Sequence, residues 1–359
     1  MEYEPLLNVF DYARAARCKL ANDICDYYDG GALDEITLRE NVTGWQRLKL
    51  YYHVLAGVGT RDMSTTVLGQ PVSMPIVVAP TAFHRLACEA GEIATAKAAR
   101  AAGTLFILSS LSNTAMESVF AHAASPRWFQ LYIYRDRAIT GELVKRAEAA
   151  GAEAIVLTVD APGLGTRERD TRNNFTLPEG LAVENLAPLG KGNLPEVKGS
   201  GLAAYVRANF KQDLGLDDLE WLCSSTPLPV VVKGVVRGDD ARRAAEQGAR
   251  GVVVSNHGGR QLDTAPATSE ALPYVVDAVA DRCEVYVDGG IRRGSDVLKA
   301  IALGARAILV GRPILWGLCV GGEAGAVRVL EVLRQEFDEA MLLCGCTRLS
   351  DIDRSLLRP

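Results

Sequence analysis

Eight short apolar runs, alanine-rich helical patterns between them, and glycine links into several of the runs predict an α/β chain folded as a closed (β/α)8 barrel. The runs cover residues 74–79, 104–108, 128–133, 154–159, 229–232, 251–254, 284–287 and 307–310. Uninterrupted apolar runs of this length mark strands buried on both faces, and helices alternating with them require a parallel sheet. Gly151-Ala152, Gly248-Ala249 and Gly304-Ala305 stand where a helix must stop and turn into the next strand. A doubly wound open sheet is the competing arrangement, and eight consecutive units favour closure.

Taken in order, residues 1–60 read as an N-terminal helical segment. Residues 23–28 run into Gly30-Gly31, a helix stop, and residues 34–50 form a second amphipathic stretch. No strand-rich pattern is expected before Met74. The barrel is assigned to residues 74–345 of a single domain spanning 1–359. Within it, Thr114 to Glu117 reads as a capping box, and Asp239-Asp240 and Ser295-Asp296 as helix starts. One connection is far too long for a strand–helix link. After strand 4 the chain runs from Asp160 to Pro229 through Pro162, Pro178, Pro188 and Pro195, and residues 177–201 read as a lid over the barrel mouth.

Composition narrows the function. With 48% apolar and 23% charged residues among 359, the chain is an ordinary globular protein. A net charge of -5 gives no reason to expect nucleic acid or an anionic membrane as partner. The most apolar region, residues 300–321, carries Arg306 and Arg312 and makes poor membrane-span material. No basic-then-apolar signal pattern opens the sequence, and the eight cysteines lack disulfide-scaffold spacing, so a reducing, cytoplasmic setting is expected. The four histidines, His53, His84, His122 and His257, are too dispersed for a metal site.

Barrel active sites form at the C-terminal ends of the strands. Here those ends carry Thr81 and Ala82, Ser109, Gln130 and Tyr132, Thr158 and Asp160, Lys233, Ser255 to Arg260, Asp288 to Arg292, and Gly311 with Arg312. Gly289-Gly290 and Gly311-Arg312, with Arg292 nearby, match the phosphate site common after strands 7 and 8. Lys233 is a fixed cation suited to a negative ring or enolate. Ser109, Gln130 and Thr158 supply neutral donors and acceptors for a heterocycle edge. His257 is a base with Asp160 as its orienting carboxylate, and Arg260 with Arg167 forms a clamp for a substrate carboxylate. A phosphorylated heterocyclic cofactor below a small carboxylic acid fits this inventory.

With Ser255-Asn256-His257-Gly258-Gly259-Arg260-Gln261-Leu262-Asp263 at its centre, the chain resembles the FMN-dependent L-2-hydroxy acid oxidases, which include glycolate oxidase and lactate oxidase. Asp26-Tyr27-Tyr28, Ala79 to Ala82, Gln130-Leu131-Tyr132, Leu164 to Arg167, Lys233-Gly234, Asp288 to Arg292 and Gly311-Arg312-Pro313 follow in the right order over nearly the whole length. The resemblance implies a TIM barrel with FMN across its mouth. The phosphate would meet Gly290, Arg292, Gly311 and Arg312, and Asp288 the ribityl chain. The ring would touch Thr81, Ala82, Ser109, Gln130, Thr158 and Lys233, with Ser255 in the same cofactor set. Tyr27, Arg167 and Arg260 would hold the substrate carboxylate and Tyr132 its 2-hydroxyl, with His257 as base and Asp160 stabilising the imidazolium. The implied reaction takes an L-2-hydroxy acid (lactate, glycolate or a larger analogue) to the 2-oxo acid and oxygen to hydrogen peroxide. The alternative is a dehydrogenase passing electrons to a quinone or other carrier. Relatives are commonly homotetramers.

The sequence departs from the pattern at several places. Tyr51-Tyr52-His53-Val54 and Cys88-Glu89-Ala90 bear on packing or assembly, and Thr166 replaces a frequent arginine. Leu111 stands where glycolate oxidases typically carry tryptophan, which bears on substrate size.

Overall fold

The computed structural model describes residues 5–358. Each apolar run becomes a strand: β1 Ile76–Val78, β2 Phe106–Ser109, β3 Arg127–Leu131, β4 Ala154–Thr158, β5 Val230–Val235, β6 Gly251–Val254, β7 Glu284–Val287 and β8 Ala307–Val310. They are parallel and close on themselves, with β8 pairing β1 through Ile308↔Ile76 and Val310↔Val78. Closure discards the open-sheet alternative. The three glycine links adopt φ of 84, 105 and 104° at Gly151, Gly248 and Gly304, the left-handed turn a helix C-terminus takes before a strand.

Alternation along the strands divides the core in two. Val77, Ile107, Trp128, Val156, Val231, Val253, Tyr286 and Leu309 point inward and fill the barrel, Trp128 meeting Tyr286 edge-on at 5.8 Å between centroids. The neighbouring residues point outward against the helical ring. A correction concerns the region before Met74. Thr65–Val67 and Gln70–Val72 form an antiparallel hairpin whose Val67 and Val72 join the interior cluster. Leu68 N donates to Glu284 Oε2 at 2.9 Å and ties the hairpin to the barrel floor.

The N-terminal segment folds as α1 Val9–Lys19, α2 Asn22–Asp29 and α3 Ile36–Arg47. Asn8 caps α1 by accepting from Phe10 N and Asp11 N. Gly31 and Gly259 let this segment lie directly on the end of β6, where Ala32 N donates to Gly259 O at 2.9 Å. The Thr114–Glu117 capping box does not form. The short helix there, Met116–Phe120, starts after Ala115, because the Thr114 hydroxyl donates instead to buried Glu92 at 2.8 Å.

The long final helix, Arg312–Cys344, is long and apolar enough by composition to cross a membrane. It breaks at Gly321 and Gly322 and packs on α1 and on the helices Gly91–Ala102 and Gly294–Ala302. Its apolar face is therefore the lining of a barrel flank.

Candidate active site

After β6 the backbone passes through His257, Gly258 and Gly259 with φ of 56, 64 and 75°, three left-handed residues in a row. Two are glycines and adopt this freely. His257 does not, and a left-handed non-glycine residue carries roughly 1–3 kcal/mol of strain, the kind that concentrates at functional sites. Ser255 Oγ accepts from His257 N at 3.1 Å and Asn256 Oδ1 from Gly259 N at 3.0 Å, which holds the turn. The turn delivers His257 Nδ1 to Asp160 Oδ1 at 2.9 Å. Gly234, at φ 109°, makes room for that carboxylate, since a Cβ there would stand 2.5 Å from Asp160 Cγ.

The electrostatics suit a resting base. Burial is the main cause holding the His257 imidazole below its ordinary 6.5, Asp160 opposes it, and Lys233 and Arg167 add to it. Burial pushes Asp160 up, but His257 and Lys233 outweigh that and hold it low. The carboxylate thus accepts from Nδ1–H and leaves Nε2 as the free lone pair of a residue lining the mouth. Tyr132 stays protonated, raised first by burial and then by Asp160, and stacks on Phe210 at 4.5 Å.

Around the same turn gathers a cluster of guanidinium groups. Arg167 is buried and pushed down to about 10 by burial and by its neighbour Arg260. Arg260 Nη1 donates to Tyr27 O at 2.6 Å and Gly30 O at 2.8 Å, and its guanidinium lies 5.1 Å from the Tyr27 ring centroid. Tyr27 stacks on Phe175 at 4.1 Å. Arg312 donates to Tyr28 O, Gly258 O and Gly30 O at 2.8–3.0 Å. The carbonyl end of α2, the negative pole of that helix, therefore docks onto two of these cations.

Whether these residues fit FMN is testable on three features. Arg292 and Arg312 sit beside Gly290 and Gly311 at the ends of β7 and β8, pushed down by burial to about 10 and about 9 yet still charged at neutral pH. Neither forms an ion pair among the described residues, although the Asp29 charge acts on both, and the pair suits one phosphate. Lys233 Nζ meets Asp288 Oδ2 and Ser255 Oγ, each at 3.0 Å, while Asp288 Oδ1 is buried without a partner, an acceptor ready for a polyol hydroxyl. Burial works against the Lys233 charge, but Asp288 and Asp160 raise its pKa, so the cation persists. These features fit.

One cavity gathers most of the expected residues: Tyr27, Thr81, Ala82, Ser109, Leu111, Tyr132, Arg167, Lys233, His257, Arg260, Asp288, Gly290, Arg292, Gly311 and Arg312. Four stand just behind its wall. Asp160 holds His257, and Ser255 bonds Lys233 and His257. Gln130 accepts from Ser109 Oγ at 3.1 Å and donates to Thr158 Oγ1 at 3.0 Å, so that pair braces the wall.

Sequence reasoning missed part of the wall. Leu202, Val206 and Phe210 line the cavity from the helix Gly201–Asn209 and its end, together with Ala161 and Leu164. No residue of 177–201 lines it. That stretch is instead pinned beside the β2 loop, where Asn185 Oδ1 accepts from Met116 N and Asn113 Nδ2 donates to Ala182 O. The apolar spacing of Leu202, Tyr205 and Val206 is the signal that was available for the wall helix.

A family model described as FMN-dependent dehydrogenase matches residues 16–359. The chain is 51% identical over 356 residues to an L-lactate oxidase of Nostoc sp., covering 98% of each. It is 48% identical over 353 residues to glycolate oxidase 3 of Arabidopsis thaliana, with 98% of this chain and 96% of that one covered. A crystal structure of mandelate oxidase with (S)-4-hydroxymandelic acid superposes with a TM-score of 0.93 at 41% identity over 98% of both chains.

Proposed function

Because the chain belongs to the FMN-dependent dehydrogenase family, we propose the following division of labour in its barrel mouth. The overall activity is that of a 2-hydroxy acid oxidase using FMN and oxygen, and a dehydrogenase serving another carrier is the less favoured reading. FMN, when bound, takes up the two electrons lost by the substrate and hands them to oxygen, giving hydrogen peroxide. Arg292, Arg312, Gly290 and Gly311 hold its phosphate, and Asp288 its ribityl hydroxyls. Thr81, Ala82 and Lys233 hold the ring, with Ser109, Gln130, Thr158 and Ser255 as the set around it.

Arg167, Arg260 and Tyr27 clamp the carboxylate of an L-2-hydroxy acid, and Tyr132 bonds its 2-hydroxyl. His257 Nε2 accepts the proton while Asp160, 2.9 Å from Nδ1, stabilises the imidazolium that results. This pair is the observation that carries the reading. The mouth is also lined by apolar side chains: Leu111, Ala161, Leu164, Leu202, Val206 and Phe210. Lactate or a larger L-2-hydroxy acid therefore suits it at least as well as glycolate. Exposed Tyr51, Tyr52, Val54 and Leu55, with Leu342 and Leu343, form an apolar surface that suits a homotetramer. All eight cysteines are unpaired, which suits the cytoplasm.

A panel of L-2-hydroxy acids, scored by anaerobic flavin bleaching and by peroxide, tests the activity, and denaturation should release FMN. Recovery of FAD would overturn the single-phosphate site. Leu111→Trp adds bulk to this apolar lining and should shift kcat/KM towards glycolate by about tenfold, within the roughly 10–200-fold that one methylene can carry. Unchanged selectivity would remove Leu111 from the pocket's specificity.

The pH profile of flavin reduction follows from His257. The base works when neutral and its pKa lies below 6.5, so the rate should be level above that pH and fall as pH drops through the depressed value. A rise continuing well above pH 7 would point to a different base.

A further inference from the structure

Beneath Thr81 lies a histidine that this chemistry leaves unused. His84 is fully buried, in a short turn just after β1. Both ring nitrogens meet hydroxyls: Nε2 lies 2.7 Å from Thr81 Oγ1, and Nδ1 lies 2.8 Å from Thr95 Oγ1. Its backbone N–H donates to Glu92 Oε1 at 3.1 Å. Glu92 is itself fully buried, and it also accepts from Asn113 N at 2.9 Å and from the Thr114 hydroxyl. An apolar side chain beside Phe106, 6.1 Å away, would fill the same space with no polar edges to satisfy. The hydroxyl contacts are what distinguish an imidazole here.

Of the groups bonded to His84 or Glu92, only Thr81 lines the cavity. Its methyl faces Gly311, where an added Cβ would stand 3.1 Å from Thr81 Cγ2. Its hydroxyl is turned down onto His84.

We propose that His84 is a positioning residue for the cofactor: it holds the Thr81 hydroxyl and so fixes the loop Pro80-Thr81-Ala82 against which the flavin ring lies. This rests on the reading above that the ring meets Thr81 and Ala82. Burial keeps the imidazole below its ordinary pKa and therefore uncharged near neutral pH. One ring nitrogen then donates and the other accepts; the Thr95 hydroxyl donates to Gly91 O at 3.4 Å, which favours Nδ1–H donating to Thr95 and Nε2 accepting from the Thr81 hydroxyl.

The test uses folded apoprotein titrated with FMN, following quenching of flavin fluorescence, the visible absorption band of the bound flavin, and the apoprotein Tm. His84→Phe should bind FMN roughly 3–10-fold more weakly, the worth of about one hydrogen bond, and shift the visible band. Thr81→Val breaks the same bond from the other side and should do likewise, with the double variant no worse than either single one. His84→Gln, which can bond both hydroxyls, should recover most of the affinity. A His84→Phe protein with a lower Tm but wild-type affinity and spectrum, beside a shifted Thr81→Val, would leave His84 as core filling and overturn the proposal. Wild-type affinity and spectrum in both single variants would mean that the flavin does not lie on Thr81, and the placement falls with the proposal. Should His84→Phe fail to fold, an unaltered Thr81→Val overturns it alone.

Discussion

Replacing His257 by glutamine should lower the rate of flavin reduction about 10²–10⁴-fold while FMN stays bound, because a positioned acid–base group contributes on that scale. Glutamine keeps a Cβ-bearing residue at the left-handed position, so backbone strain is shared by both proteins and the difference reports chemistry. Arg167, Arg260 and Tyr132 remain in place, and binding of a 2-oxo acid product should be little changed. Anaerobic stopped-flow reduction isolates this step from the oxygen reaction. A well-folded His257→Gln protein reducing its flavin at near the normal rate would remove His257 as the base.

Arg312→Leu should weaken FMN binding by at least ~30-fold. Truncating one partner of a buried, hydrogen-bonded charge pair typically costs about 2–5 kcal/mol, and about 1.4 kcal/mol is a factor of ten. The loss also removes the donor that the Tyr28, Gly30 and Gly258 carbonyls share; Gly30 keeps Arg260, and Gly258 is left without a side-chain donor. Arg312→Lys should recover only part of the affinity, since an ammonium keeps the charge but not the planar fork that spans those carbonyls. Exposed Arg237, paired with Asp239, serves as the control, and Arg237→Leu should bind FMN normally. Wild-type affinity in Arg312→Leu would move the phosphate away from the end of β8.

The barrel was readable because its strands are buried on both faces, a local property that in most of them writes itself into three or four consecutive apolar residues. Val252-Val253-Val254 needs no partner to be recognised. The floor hairpin at 65–72 was not readable. Its strands are three residues long, Pro71 interrupts one of them, and only Val67 and Val72 are buried. The gathering of the strand-end residues in one cavity was readable because the C-terminal ends of parallel strands in a closed barrel all open on the same mouth. Their division into cavity wall and bracing layer was not, since it depends on which side chain another reaches first: Gln130 and Thr158 engage each other. Thr114 shows the same limit. A capping box is a local motif, and a buried carboxylate from another helix won its hydroxyl. The wall helix at 201–209 lay inside a stretch dominated by glycine and proline, whose irregularity masked three apolar residues facing the mouth.

Arg312 and the Tyr28 carbonyl it holds are 284 residues apart in the chain. At a synthesis rate of roughly 5–20 residues per second, on the order of 15–60 seconds separate their emergence from the ribosome. During that interval α2 exists without Arg260 and Arg312, to which its carbonyl end docks, and the β8 half of the proposed phosphate site has not been made. Flavin loading is therefore an event of the finished chain, and supply of FMN to a growing cell should govern how much completed apoprotein is converted rather than how fast the chain is made.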